Sequence, residues 1–131
     1  IEDFTGTSKD TIEKLKNIGV KNSEQLYNKV LTASGRLKVS ESSGIDLIEI
    51  QRLTKLSDLS RIKYVGVTFA HMLYLLGIDT AEKASRSDPD ELHARINQLN
   101  KDKRIYKGQI GINDIRIFVN AAKELSFDIE Y

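Results

Sequence analysis

The sequence predicts an all-α fold of about eight helices, and three observations support this prediction. Apolar residues recur every three to four positions along most of the chain, which is the spacing of one helix face. The only proline is Pro89, so almost every position is compatible with a helix interior. Alternating Val/Ile runs joined by tight turns, which would indicate β-hairpins, are missing from the sequence.

Four helices are predicted in the first half of the chain. The first ends at Gly19, a suitable residue for the position after a helix C-cap. Ser23 is the predicted N-cap of the second, 36–42 form a short third helix, and Asp46 caps the fourth. The residues predicted to form their apolar faces are Ile12, Leu15 and Ile18, then Leu26, Tyr27, Val30 and Leu31, then Ile50, Leu53 and Leu56.

Four further helices are predicted in the second half. The fifth ends at Gly77, Thr80 caps a short sixth helix, and Asp88 and Pro89 start the seventh as N-cap and first helical residue. The segment 101–111 is predicted to be a basic connector to the eighth. The predicted core comprises Ile12, Leu15, Leu26, Leu53, Leu73, Leu76, Leu92, Ile96, Phe118 and Leu125.

An internal repeat appears when the chain is compared with itself at a shift of 58 residues, which places Leu15 on Leu73 and Gly19 on Gly77. The register holds without a gap over residues 4–26. Amphipathic helices align by chance, but a shared glycine followed by an aliphatic residue is less easily accidental. The sequence therefore predicts two related helical units.

The predicted organisation is a single all-helical domain over residues 1–131, a length that suits one domain. Its two pseudo-symmetric units are residues 1–32 and 61–87. Connecting helices occupy 33–60, and the C-terminal helices occupy 88–131.

Composition and charge limit the function classes. The formal net charge is +1, with 9 basic and 9 acidic residues in 1–60 and 11 and 10 in 61–131. A strong nucleic-acid binder usually shows a clear basic excess, so the balance counts against tight binding. Cysteine is absent, which excludes thiolate metal sites and fits a cytoplasmic location. Apolar stretches are too short to span a bilayer, so no membrane partner is expected.

Each repeat copy resembles a helix-hairpin-helix motif. The hairpin of that motif reads apolar-x-Gly-apolar-Gly, and the following helix reads x-x-x-Ala-x-x-Leu-x-x-x-Gly-Ile. The second copy reads IKYVG at 62–66, and the first reads FTGTS at 4–8. The first copy keeps only Gly6 of the two hairpin glycines, and the second keeps only Gly66. The second copy matches the helix pattern at Ala70, Leu73, Gly77 and Ile78.

The resemblance extends over nearly the whole chain. The segment DPDELHARI at 88–96, the basic stretch 101–107 and the closing Ala-Ala-Lys at 121–123 follow the second unit in order. With the two hairpins they resemble a bacterial family of tandem helix-hairpin-helix domains that is catalogued only as a domain of unknown function.

The helix-hairpin-helix resemblance implies weak binding of double-stranded DNA without sequence preference. Unpaired backbone N–H groups at the hairpin and the next helix start would hold a phosphate, and such contacts carry no base information. The implied contact residues are Arg61, Lys63, Gly66, Val67 and Thr68 in the second unit, and Gly6, Ser8 and Lys9 in the first. A secondary basic strip comprises Lys101, Lys103, Arg104 and Lys107.

The sequence departs from this motif, which keeps a second hypothesis open. Ser8 and Tyr64 replace hairpin glycines, and the motif's frequent cation falls on Asp10 and Thr68. The alternative is a protein-interaction or structural domain that has a protein partner and does not bind nucleic acid. On this alternative, 101–107 is a solvated linker and the remaining glycine of the second hairpin only lets two helices pack.

An enzyme is not expected from the sequence. His71 and His93 are solitary, without a cysteine, a His-x-x-x-His pair or a carboxylate cluster beside them. Because catalytic and metal sites need several such groups together, no catalytic residue, metal, cofactor or small-molecule substrate is predicted.

Overall fold

The computed structural model describes residues 7–107 and 110–131. Within these residues all regular secondary structure is α-helical. The eight helices are α1 (Lys9–Asn17), α2 (Ser23–Lys29), α3 (Ala33–Ser43), α4 (Leu47–Ser60), α5 (Val67–Leu75), α6 (Ala81–Ser85), α7 (Pro89–Lys103) and α8 (Ile112–Lys123). The predicted all-α class with about eight helices is confirmed. No helix in the described ranges is long and apolar enough to cross a membrane.

The backbone divides into two compact units. Unit 1 comprises 1–58 and 128–131, and unit 2 comprises 59–127. In unit 1, α3 packs against α1 and α2; in unit 2, α8 packs against α6 and α7, and α7 packs against α5. The predicted arrangement as a single domain stays a prediction.

The backbone repeats at the shift that the sequence predicts. Helix α1 begins at Lys9 and α5 at Val67, and α2 begins at Ser23 and α6 at Ala81, so both pairs start 58 residues apart. Each repeat copy therefore contains the same pair of short helices.

The turn after the first helix of each pair has the same geometry. Gly19 and Gly77 adopt φ values of 87° and 82°, in the left-handed region that glycine enters without a steric penalty. The amide of Val20 donates to the Leu15 carbonyl at 2.9 Å, and the amide of Ile78 donates to the Leu73 carbonyl at 2.9 Å. Both turns are Schellman motifs, which satisfy carbonyls left unpaired at a helix end.

Two helix starts differ from the prediction. The N-cap of α2 is Asn22, not Ser23, because the Asn22 side chain accepts a hydrogen bond from the Gln25 amide at 2.8 Å. Helix α3 starts earlier than residue 36, because Thr32 caps it by accepting from the Gly35 amide at 3.0 Å. Both asparagine and threonine are good N-caps, so these starts follow from ordinary capping chemistry.

The predicted connector 101–111 is partly helical. Lys101 and Lys103 lie in the last turn of α7, which ends at Lys103 and has Arg104 as its C-cap, with φ 52°. Positive side chains are favoured at the carbonyl end of a helix, so the basic character of this segment partly reflects its helical position.

Most of the predicted core is buried, namely Leu15, Leu26, Leu53, Leu73, Leu92, Ile96 and Phe118. Ile12, Leu76 and Leu125 are only half-buried, so their inclusion in the core was wrong. Leu76 is the C-cap residue of α5, and Leu125 lies beyond the end of α8. Ile12 lies on α1, whose one buried residue is Leu15.

In unit 1 a buried arginine holds the segment 128–131. The guanidinium of Arg36, which is 5% exposed, donates to the Val30 carbonyl at 2.9 Å and to the Glu130 carbonyl at 2.6 Å. It also lies 5.8 Å from the centre of the Tyr131 ring. A buried guanidinium requires such partners, because an unpaired charge in the interior is very costly.

Candidate functional site

The loop between α4 and α5, residues 61–66, corresponds to the second predicted hairpin. Ile62 and Val65 are buried, at 1% and 6% exposure, and anchor the loop in unit 2. The amide of Ile62 donates to the Leu59 carbonyl at 3.1 Å, and the amide of Val65 donates to the Ile62 carbonyl at 3.0 Å. These two turns bury the apolar anchors and leave Lys63 and Tyr64 exposed.

Tyr64 occupies an unusual backbone position in this loop. Its φ is 73° and its side chain is 66% exposed. A left-handed conformation costs an L-residue about 1–2 kcal/mol relative to the right-handed one. The backbone therefore has the conformation that suits the glycine of the resembled motif, although tyrosine stands there.

The N-terminus of α5 lacks the capping side chain and the first-turn acid that stand at the start of α1. Its N-cap residue is Gly66, which makes no side-chain cap hydrogen bond, and its first turn carries no acidic residue. A Cβ placed on Gly66 would meet no atom within 4 Å. A side chain at this N-cap position would therefore have open space around its first atom.

The loop carries two cations, Arg61 and Lys63, which differ in their surroundings. The guanidinium of Arg61 donates to the Ser126 carbonyl at 3.2 Å, so part of its hydrogen-bonding capacity is used within unit 2. Lys63 is exposed, and its ammonium lies 5.3 Å from the centre of the Tyr64 ring. Lys63 is thus a positive charge placed at the tip of the loop.

The first predicted hairpin has a different helix start. Gly6 lies outside the described residues, while Ser8 is the N-cap of α1 and Lys9 is its exposed first residue. The Ser8 hydroxyl accepts from the Thr11 amide at 3.1 Å, and Asp10 adds a carboxylate to the first turn. The Thr11 amide therefore already has its acceptor in the Ser8 hydroxyl. The carboxylate of Asp10 already supplies negative charge at the positive end of the α1 dipole.

The secondary basic strip contacts the start of α5 through Tyr106. The backbone amide of Tyr106 donates to the Asn100 side chain at 2.7 Å, which fixes the strip just after α7. The ring of Tyr106 lies 5.8 Å from the ring of Phe69, in the first turn of α5. Two segments predicted separately from the sequence, 61–68 and 101–107, thus approach each other in unit 2. The basic members of the strip, Lys101, Lys103, Arg104 and Lys107, are all exposed.

An aromatic cavity of about 240 Å³ adjoins the loop. Its lining residues are Tyr64, Phe69, Asp114, Ile117 and Phe118. The Phe69 ring packs against Phe118 with 6.0 Å between ring centres. The cavity thus combines three aromatic walls, one aliphatic wall and one carboxylate.

Sequence reasoning missed Phe69, Asp114 and Ile117 as members of this site. Asp114 lies three positions after Gly111 in the first turn of α8, where an acid suits any helix. Ile117 reads as an ordinary apolar helix residue, yet it is 45% exposed. The one usable signal was Phe69, an aromatic residue in the turn that follows the hairpin glycine.

The histidines do not join this site. The ring of His93 donates from Nε2 to the Ile110 carbonyl at 2.8 Å, and Asn97 donates to the same carbonyl at 3.1 Å. These bonds hold the end of the α7–α8 connection. No group of three or more potential metal ligands occurs in the described part of the chain.

The fold and this site define an all-helical domain with a repeated helix pair and an exposed loop against an aromatic cavity. A family model described as Domain of unknown function (DUF4332) matches residues 5–125. The chain belongs to this family, which confirms the predicted resemblance to a family catalogued only as a domain of unknown function. No curated protein matches the chain, and no solved structure matches it.

Proposed function

We propose that this protein is a non-enzymatic module that binds DNA through its backbone phosphates, without sequence preference, at the loop 61–66 and the start of α5. The observation that carries the proposal is the α5 N-terminus. It has no side-chain cap and no acid in its first turn, and a Cβ on Gly66 would meet none of the described atoms that lie beyond its chain neighbours within 4 Å.

A phosphate suits this place for simple physical reasons. The first amides of a helix lack intrahelical partners, and the helix dipole adds partial positive charge at the same point. A phosphate oxygen placed before Gly66 accepts from the amides of Val67 and Thr68. Lys63 at the loop tip adds Coulomb attraction to the adjacent phosphate. Arg61 fixes the start of the loop by its hydrogen bond to the Ser126 carbonyl.

The proposed binding is weak, because the α1 N-terminus is matched by Ser8 and Asp10 and the net charge is only +1. Two or three neutralised phosphates give a plot of log K against log salt with a slope of about −2 to −3. The affinity is therefore measurable at low salt and falls steeply as salt is added.

Fluorescence anisotropy with a short labelled duplex at low salt tests the proposal. Gly66→Glu places a carboxylate where the phosphate would lie and is expected to weaken binding by about tenfold or more. Ser8→Glu is the matched control, because it places the same charge at the equivalent position of the first repeat. The control is expected to change the affinity little, and circular dichroism of both variants should keep the helical signal.

Two results would contradict the proposal. One is the absence of duplex binding at millimolar protein in low salt. The other is an equal loss of affinity in the two variants, which would indicate a diffuse charge effect and not a phosphate site at α5.

A protein-interaction domain is the second candidate function. The observation that favours it is the cavity beside the loop, where exposed Tyr64 and Ile117 stand next to the carboxylate of Asp114. An exposed patch of apolar and charged groups is typical of partner surfaces. A protein that co-purifies with the wild type and is lost on Ile117→Glu, while DNA binding is absent, would favour this second candidate.

A further inference from the structure

We infer that the cavity lined by Tyr64, Phe69, Asp114, Ile117 and Phe118 receives one unpaired nucleobase of the bound strand. We infer further that Asp114 selects bases that carry an exocyclic amino group. The inference rests on the proposed function, because it assigns to the same surface a second contact beyond the phosphate.

The size and walls of the cavity suit a single base. Its volume of about 240 Å³ lies below the roughly 300–1,000 Å³ of pockets for drug-sized ligands, so it accommodates one ring system and not a whole nucleotide. Phe69 and Phe118 supply apolar aromatic walls, and Tyr64 is an exposed ring at its edge. Aromatic side chains stack on any base, since each base has a flat π-face.

The loop and the cavity are close enough for one strand to contact both. Tyr64 belongs to the loop and also lines the cavity, and Phe69 lies in the same first turn of α5 as Val67 and Thr68. A phosphate bound before Gly66 therefore leaves its own or its neighbouring base beside the aromatic walls. A paired base is not available for this contact, so the occupant is a base in single-stranded or frayed DNA.

Asp114 gives the cavity a chemical preference. Its side chain is exposed, and among the described residues no hydrogen bond or ion pair engages its carboxylate. A carboxylate accepts hydrogen bonds and donates none, so it pairs with an amino group such as N4 of cytosine. Thymine offers no exocyclic amino group, and its one ring donor, N3–H, lies between two carbonyl oxygens that would face the carboxylate unfavourably.

A basic side chain of a partner protein is a less suitable occupant. The ammonium of Lys63 already lies over the Tyr64 ring at 5.3 Å, so a second cation there meets like charge. The strip 101–107 carries four basic residues and one acid, and its Tyr106 contacts Phe69. Positive charge around an aromatic cavity with a single carboxylate fits a polyanion whose uncharged bases enter the cavity.

The test compares single-stranded oligonucleotides of equal length, oligo-dC and oligo-dT, by fluorescence anisotropy with the full chain at low salt and neutral pH. Equal length keeps the number of phosphates the same. We expect oligo-dC to bind about fivefold more tightly than oligo-dT, the discrimination of one good base contact.

The variant Asp114→Ala separates this contact from general electrostatics. Loss of a negative charge alone strengthens the binding of both oligonucleotides, whereas loss of the acceptor removes the preference for dC. We expect the ratio of affinities to fall to about one, with dT binding unchanged or tighter. Glu91→Ala, an exposed acid in the first turn of α7, is the matched control and should leave the ratio unchanged.

The outcomes distinguish this inference from the function on which it rests. Equal binding of dC and dT by the wild type overturns the base contact but leaves phosphate binding intact. A preference for dC that survives in Asp114→Ala also overturns it. Absence of binding both to these oligonucleotides and to the duplex overturns both, and binding of an oligo-lysine peptide that Asp114→Ala abolishes would assign the cavity to a protein partner.

Discussion

The starts of α1 and α5 occupy equivalent places in the repeat but satisfy their backbone amides differently. At α1, Ser8 accepts from the Thr11 amide, and Asp10 forms a salt bridge of 3.0 Å with Lys14. At α5, Gly66 offers no side chain and the first turn has no acid. The first copy places a capping hydroxyl and a carboxylate at the positive end of its helix dipole, whereas the second copy places neither there.

The two units also differ in how they accommodate a residue whose position has an energetic cost. Unit 1 buries the charge of Arg36 and pairs it with backbone carbonyls. Unit 2 keeps Tyr64 in a left-handed conformation and exposes its ring. An energetic cost that internal hydrogen bonds compensate indicates a structural role. Backbone strain at an exposed residue is typical of a binding site.

The largest expected effect concerns the stability of unit 1. Arg36→Met leaves the carbonyls of Val30 and Glu130 without their donor, and we expect the free energy of unfolding to fall by about 3 kcal/mol. Urea denaturation followed by circular dichroism measures this loss. Arg95→Met is the matched control, because exposed Arg95 donates to the Leu76 carbonyl at 2.7 Å and its loss should cost under about 0.5 kcal/mol. An equal fall in the free energy of unfolding in the two variants would show that the burial of Arg36 adds nothing to the effect of its hydrogen bonds on stability.

The next effect concerns the backbone of the loop 61–66. Tyr64→Gly and Tyr64→Ala both remove the ring, but only glycine fits φ 73° without steric cost. We expect the glycine variant to be more stable than the alanine variant by about 1 kcal/mol, measured by thermal or urea unfolding. Both variants should bind oligonucleotides more weakly, since the stacking ring is lost. An alanine variant as stable as the glycine variant would mean that Tyr64 carries no backbone cost.

The smallest effect concerns the two helix caps. Ser8→Ala removes the acceptor of the Thr11 amide and should lower the free energy of unfolding by roughly 0.5–1 kcal/mol, without changing DNA affinity. Gly66→Ser gives α5 the cap that α1 has, so stability should rise by a few tenths of a kcal/mol while DNA affinity falls. Unfolding curves and anisotropy titrations of both variants check these opposite responses. A Gly66→Ser variant that binds DNA as well as the wild type would contradict the role of the α5 amides.

The candidate site was predictable only in part. The pattern IKYVG led to Lys63, Gly66 and the start of α5, because a loop and the next helix are adjacent in sequence. The contact of Tyr106 with Phe69 was not predictable from local patterns, since it joins the end of α7 to the start of α5. Asp114 was missed for a similar reason, because an acid at a helix start normally serves the helix itself.

The sequence by itself determined the helical class, most helix boundaries and the 58-residue repeat. These features depend on hydrogen bonds and caps within a few residues, as in the matching Schellman turns at Gly19 and Gly77. Only the tertiary structure decided which polar groups meet across the chain. Arg36 reaches a carbonyl 94 residues away, and Tyr64 adjoins Asp114 across a cavity formed by α5 and α8. Such contacts depend on how helices pack, which no local pattern of residues specifies.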